Sequence, residues 1–189
     1  MAGNHDSGDK LLNNNILPPK ATLEKTIDEL RSNGGGSTDV EISARLIKGI
    51  RTEVKVGDHT LYIDGPPSLG GTDTAPRPSA YALVSLAGCL TMMFAWHASL
   101  NDIKIDSLNI TIRGSHDLLP MFDPETGWPG LKNVEVEVNV STDKPEELSR
   151  LLNVIKDGSP VTQTFIKPIP VRLRTVINKR RVRDEVVMV

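Results

Sequence analysis

The chain has 189 residues, 22 basic and 24 acidic, with a formal net charge of −2. That length suits one domain with extensions, and the balanced charge gives no general pull toward nucleic acid or anionic membranes. One cysteine, Cys89, excludes an intrachain disulfide, a CxxC redox pair and a cysteine-based zinc site. The polar start MAGNHDSGDK lacks the apolar core of a secretory signal, so the expected compartment is a reducing cytoplasm.

Residues 1–20 are polar, with Asn13-Asn14-Asn15 and Pro18-Pro19, and are expected to form a mobile tail. Leu23, Ile27 and Leu30 fall at i, i+4 and i+7 and predict a short helix over 21–32, closed by Gly34-Gly35-Gly36. It reads as a docking element on the domain or on a partner subunit. Val40, Ile42, Ala44 and Leu46 then alternate with polar residues, as do Ile50, Thr52, Val54 and Val56. With Leu61 to Asp64 as a third strand, and Gly49 and Gly57-Asp58 as turns, they predict a three-stranded meander with one wet face.

Further along, Leu108, Ile110 and Ile112 mark one strand, and Val134, Val136, Val138 and Val140 another. Between them, Gly114 to Gly130 is a long loop carrying Leu118 to Phe122 and Trp128, a length that is usually functional or packed on a partner. Thr142 or Asp143 is placed to cap a helix whose buried face is Leu148, Leu151, Leu152 and Ile155. Ser159-Pro160 supplies the N-cap and first residue of a second short helix. Ile169, Val171, Leu173 and Thr175 make a last strand, and the basic residues 179–183 read as a solvated end. The order is βββ-α-ββ-αα-β, an α+β domain.

Pro78 to Asn101 contains no charged residue. The run is long enough to span a bilayer, but Ser79, Ser85, Thr91, His97 and Ser99 interrupt it, and it reads as the centre of a soluble core. A thin sheet covers only one side of a helix apolar all round, which predicts a homodimer in which two such helices bury each other. Cys89 on this helix is either a small buried hydrophobe or a protected nucleophile. It lies roughly 15 Å from Ser79 along the axis, beyond the reach of the helix dipole, so an activated thiolate needs a specific cationic neighbour. His97 lies about 12 Å further on and reads as a core or interface histidine, with a His97 from a second subunit left open.

SLGGTDTAPRPSAYALVSLAGC, followed in order by GSHDLLPM, GWPGLKNVEVEVNV and SPVTQTF, resembles the OsmC/Ohr family of osmotically induced and organic-hydroperoxide-resistance proteins. The likeness runs from roughly Val40 to Ile177. It implies an OsmC-like fold, an intertwined homodimer of α+β subunits around long central helices. Residues 1–36 are then an N-terminal tail with a short helix, 37–178 the OsmC-like domain and 179–189 a charged C-terminal tail. It also implies that Cys89 is the reactive cysteine, held by a nearby arginine and glutamate and resolved by a second cysteine. Arg45, Arg51 and Arg77 are the candidate arginines. Two positions depart from that pattern. Ser159 precedes Pro160 where the resolving cysteine is expected, and serine forms no disulfide. Ser79 and Ala80 follow the helix-opening proline where a carboxylate is expected.

A Cys89 thiolate can still attack a peroxide and become a sulfenic acid, which an external thiol must then reduce. The first expected function is therefore a one-cysteine, thiol-dependent hydroperoxide reductase or redox sensor in oxidative stress, not an efficient two-cysteine peroxidase. The alternative is a non-catalytic OsmC-like dimer that binds an apolar small molecule in its interface cleft, lined by Leu118 to Phe122 and Trp128. A nucleotide site at Leu69-Gly70-Gly71-Thr72 would lack the GK[ST] ending, and two glycines at a turn need no ligand. No cofactor, metal, nucleic acid or membrane is called for.

Overall fold

Period-two alternation after the glycine run folds as expected. In the computed structural model, which describes residues 16–187, β1 (Ile42–Lys48), β2 (Arg51–Val56) and β3 (His59–Ile63) form an antiparallel meander. Ala44 pairs with Val54 and Val54 with Leu61, so one apolar row crosses all three strands. Gly49 makes the first turn at φ 59, and a Cβ there would stand 2.6 Å from the Gly70 carbonyl oxygen. Val54 is buried while every residue of β1 is exposed, so this sheet is only partly covered within the chain.

The apolar run forms α2 (Pro78–Leu100), opened by proline at its first position and ended where Asp102 turns to φ 53. One side is buried, through Leu86, Leu90, Met93, Phe94 and Ala98. The last three join Ile103, Ile105, Leu148 and Ile155 in a core between α2, the start of β4 (Ile105–Ser115) and α3 (Pro145–Gly158). β5 (Lys132–Thr142) pairs with β4, placing Leu108 opposite Val140 and Ile110 opposite Val138. The opposite side of α2 presents Val84 at 58% and Met92 at 51% exposure, with Trp96 at 38% and Gly88 between them. By length and composition α2 is able to cross a membrane. Here β4, α3, α1 (Lys20–Ser32) and α4 (Pro160–Ile166) pack along it.

Three sequence expectations need correction. Thr142 and Asp143 do not cap α3, whose N-cap is Lys144 with no side-chain bond. They clip β5 to β4 instead: Thr142 Oγ1 donates to the Lys104 carbonyl at 2.6 Å, and the Lys104 N–H donates to Asp143 at 2.9 Å.

Over its described part, the C-terminal tail expected at 179–189 is not a solvated tail, because Arg180–Val187 is β7, paired with β6 (Val171–Ile177). Asn178 and Lys179 have φ 48 and 64, the left-handed pair of a two-residue hairpin turn. Arg172, Arg174 and Arg181 converge on Asp184 at 2.9, 3.5 and 3.6 Å. Within the basic run that read as solvated, Arg181 pairs with Asp184 and Arg183 with Glu185.

The tail expected over 1–20 falls mostly outside the described residues, but its end is packed. Ser99 Oγ donates to the Pro18 carbonyl at 2.7 Å, Leu17 rests on the core, and Lys20 pairs with Asp102 at the foot of α2. The helix α1 that follows has no buried residue.

Candidate functional site

The entry to α2 is organised by a carboxylate. Asp64 is 1% exposed and accepts the N–H of Gly65 at 2.8 Å and the hydroxyls of Thr72 and Thr74 at 2.6 and 2.9 Å. The backbone N–H groups of Thr72 and Thr74 also point at it. The Thr72 hydroxyl is the largest influence, and with these N–H groups it holds the Asp64 carboxyl well below the usual carboxylate range against the cost of burial. Gly71 lets the loop close, since a Cβ there would stand 2.0 Å from the Gly65 carbonyl oxygen.

Cys89 projects from the middle of α2, partly buried against the core. Its Sγ lies 3.2 Å from Ser159 Oγ. Ser159 is fully buried and serves two helices at once, ending α3 and capping α4. Its oxygen accepts the Thr162 N–H at 3.2 Å and the Thr162 hydroxyl at 2.7 Å. A hydroxyl has two lone pairs and one proton. With both lone pairs taken, the Ser159 proton is left for the sulfur. A cavity of about 400 Å³ lies between α2, β5, α3 and α4, lined by Leu86, Leu90, Phe94, Leu131, Phe165 and Thr162, and neither Cys89 nor Ser159 is in its wall.

The three candidate arginines lie elsewhere in the subunit. Arg45 pairs with Glu53 at 3.1 Å across β1 and β2. Arg51 donates to Thr74 Oγ1 at 2.6 Å and stands 5.0 Å over the Tyr62 ring. Tyr81 donates to the Tyr62 carbonyl at 2.9 Å, so that strand meets the first turns of α2, about 12 Å before Cys89. Arg77 is the N-cap of α2, about 18 Å from Cys89 along the axis. Burial pushes the His97 imidazole below its ordinary value, which favours the neutral ring.

The sequence singles out Cys89, and the family resemblance puts Ser159 where a resolving cysteine would stand, with N-capping as its other role. The Ser-Pro signal itself is local, and only the resemblance carried the expectation that this position reaches α2. Asp64 and Thr162 were missed, since a lone short polar residue in a turn or a first helical turn gives no distinctive signal.

Fold and site together define an α+β protein with one helix thiol facing the start of a later helix. The family model for OsmC-like protein matches residues 71–174, more than half of the 189, and the chain belongs to the OsmC-like family. Among solved structures, an OsmC-like protein from Mycoplasma pneumoniae matches at TM-score 0.59 and 19% identity, covering 69% of this chain and 89% of that one. An organic hydroperoxide resistance protein OsmC from Legionella pneumophila matches at 0.53 and 17%, covering 69% and 90%. One from Elizabethkingia anophelis matches at 0.54 and 19%, covering 68% and 88%. At these identities the likeness is one of fold. No curated protein matches the sequence.

Proposed function

We propose that this OsmC-like protein reduces organic hydroperoxides with Cys89 alone, as a stress-response enzyme or redox sensor of the cytoplasm. The observation that carries the reading is the Ser159 hydroxyl, 3.2 Å from Cys89 Sγ with its proton free for the sulfur. The apolar cavity between α2, β5, α3 and α4 is of a kind to take the organic part of a hydroperoxide. The hydroperoxide resistance proteins of like fold point to the same substrate class.

In the proposed step the Cys89 thiolate attacks the outer oxygen of the hydroperoxide. An S–O bond forms, the O–O bond breaks, and the alkoxide leaves and takes up a proton as the alcohol. Cys89 is now a sulfenic acid, and the serine at 159 cannot condense with it. One external thiol forms a mixed disulfide and releases water. A second external thiol frees Cys89 and leaves as the external disulfide.

A homodimer completes this reading. Support comes from the uncovered face of α2 at Val84, Gly88, Met92 and Trp96, and from strand β1, exposed along its whole length. The activating cation then comes from the second subunit. Arg45 is the best placed chemically, because Glu53 already orients it, while Arg51 is engaged by Thr74 and Tyr62.

The test is sulfenic-acid trapping with dimedone after a cumene hydroperoxide pulse, together with hydroperoxide consumption at increasing dithiothreitol. Wild-type protein should give one adduct and thiol-dependent turnover, Cys89→Ser should give neither, and Arg45→Ala should slow both. Absence of adduct and turnover in the wild type overturns the proposal. It would leave the non-catalytic binding reading, which the lack of a described cation partner for Cys89 within the subunit favours.

A further inference from the structure

The helix α1 is closed by a latch built over Asn33, its C-cap. Gly34 turns to φ 74, the Gly35 N–H donates to the Leu30 carbonyl at 2.7 Å, and the Gly34 N–H donates to the Arg31 carbonyl at 3.3 Å. These two bonds satisfy the last carbonyls of the helix, and both span Asn33. Asn33 is exposed, and among the described residues no hydrogen bond or ion pair holds its side chain. A Cβ on Gly34 or Gly35 would meet nothing within 4 Å, so the surroundings of the side chain are open.

Asn33 is also the one asparagine in the sequence that precedes glycine, whereas Asn109, Asn133, Asn139 and Asn153 each precede valine or isoleucine. A β-branched side chain shields the amide nitrogen that follows the asparagine, and glycine leaves it bare.

We propose that Asn33 is a self-modifying site, which converts to aspartate and isoaspartate without an enzyme and so unlatches α1. The Gly34 amide nitrogen attacks Asn33 Cγ, a C–N bond forms, and the side-chain nitrogen leaves as ammonia with the proton from Gly34. Water then opens the resulting succinimide ring at either carbonyl. One opening gives aspartate, and the other runs the main chain through the former side chain, one carbon longer. The Gly34 N–H must first leave the Arg31 carbonyl, and that bond is the longer of the two in a turn where helices fray.

Both products oppose the latch. A carboxylate at the C-cap faces the negative end of the helix dipole, and the extra carbon spoils the spacing of both bonds. α1 has no buried residue to compensate, and a helix of 13 residues is marginal by itself. The Ser99–Pro18 and Lys20–Asp102 contacts still hold its first turn, so the loosening is confined to its end. No residue of the thiol centre takes part, and the site stands or falls apart from the peroxide chemistry.

The test is to keep the full-length protein for weeks in warm, mildly alkaline buffer, with a parallel sample unfolded in urea. Peptide mass spectrometry of the folded sample should find a gain of one dalton at Asn33 and none at Asn109, Asn133, Asn139 or Asn153. Methylation by an isoaspartyl methyltransferase should show that isoaspartate accounts for part of it. Gly34→Ala should slow the gain severalfold. Asn33→Asp, which installs one product directly, should speed hydrogen exchange severalfold over residues 30–35 and leave α2 unchanged. An intact Asn33 in the folded protein, where the sample in urea converts, overturns the proposal. So do equal gains at the other asparagines, or an Asn33→Asp protein whose exchange matches the parent.

Discussion

Cys89 Sγ and Ser159 Oγ stand 3.2 Å apart although 70 residues separate them. The contact exists because α3 stops at Gly158 and α4 starts at Pro160, which turns the chain sharply at Ser159 and aims its hydroxyl back at the middle of α2. Thr162 supplies both donors to that oxygen and so orients it.

Replacing Ser159 by Cys should convert the site to a disulfide. A disulfide needs the sulfurs about 2.05 Å apart, so the approach required is small. After one equivalent of hydroperoxide, Ellman titration of the denatured variant should find no free thiol, and the mass should fall by two hydrogens. Two persisting thiols would mean that the side chains do not meet in solution.

Ser159→Ala tests the same contact from the other side. Loss of the N-cap should destabilise the protein by about 1 kcal/mol in denaturant unfolding. Dimedone labelling of Cys89 should also slow, because the donor to sulfur is gone. A Ser159→Ala protein that unfolds earlier but labels at the wild-type rate would assign the serine to α4 alone.

Acid stability should depend on Asp64. Its folded value lies below the ordinary carboxylate range, so the native state holds on to fewer protons than the unfolded chain. The contribution is fully present above the unfolded value near pH 3.9 and is lost as pH falls from there toward the folded value. Asp64→Asn should melt lower at neutral pH and show a flatter loss of stability from about pH 4 downward. Parallel acid limbs for the two proteins would contradict this.

The exposed side of α2 predicts its own test. Val84→Glu with Met92→Glu should leave the buried face untouched and shift sedimentation toward monomer at micromolar concentration. Like charges brought face to face in a helix contact oppose association. Unchanged dimer in the double variant would place the interface elsewhere.

Deletion of residues 1–18 should lower stability, although their polar composition reads as a mobile tail. It removes the Pro18 carbonyl that accepts from Ser99, itself 8% exposed, and the Leu17 side chain on the core. An unpaired buried hydroxyl alone costs about 1–3 kcal/mol. A truncated protein melting with the full chain would restore the original expectation.

Local pattern carried much of this molecule. Alternation placed β1 to β6, an uncharged run bounded by Arg77 and Asp102 placed α2, and the Ser159-Pro160 pair placed α4, because each signal is written in neighbours within one or two turns of chain. The strand at the C-terminus was missed for a related reason. Its alternation is interrupted by basic residues whose partner, Asp184, becomes meaningful only once Arg172 and Arg174 lie beside it on β6.

Sequence by itself therefore determined the class of fold, the family resemblance and the position of the lone thiol on an apolar helix. Only the tertiary structure decided how that thiol is held. The distance from Ser159 to Cys89, the glutamate that holds Arg45 and the donors gathered on Asp64 all depend on distances between residues far apart in the chain. Hydrogen bonds and ion pairs act over a few ångströms, and the relative placement of helices and sheets that sets those distances comes from burial, which is non-directional.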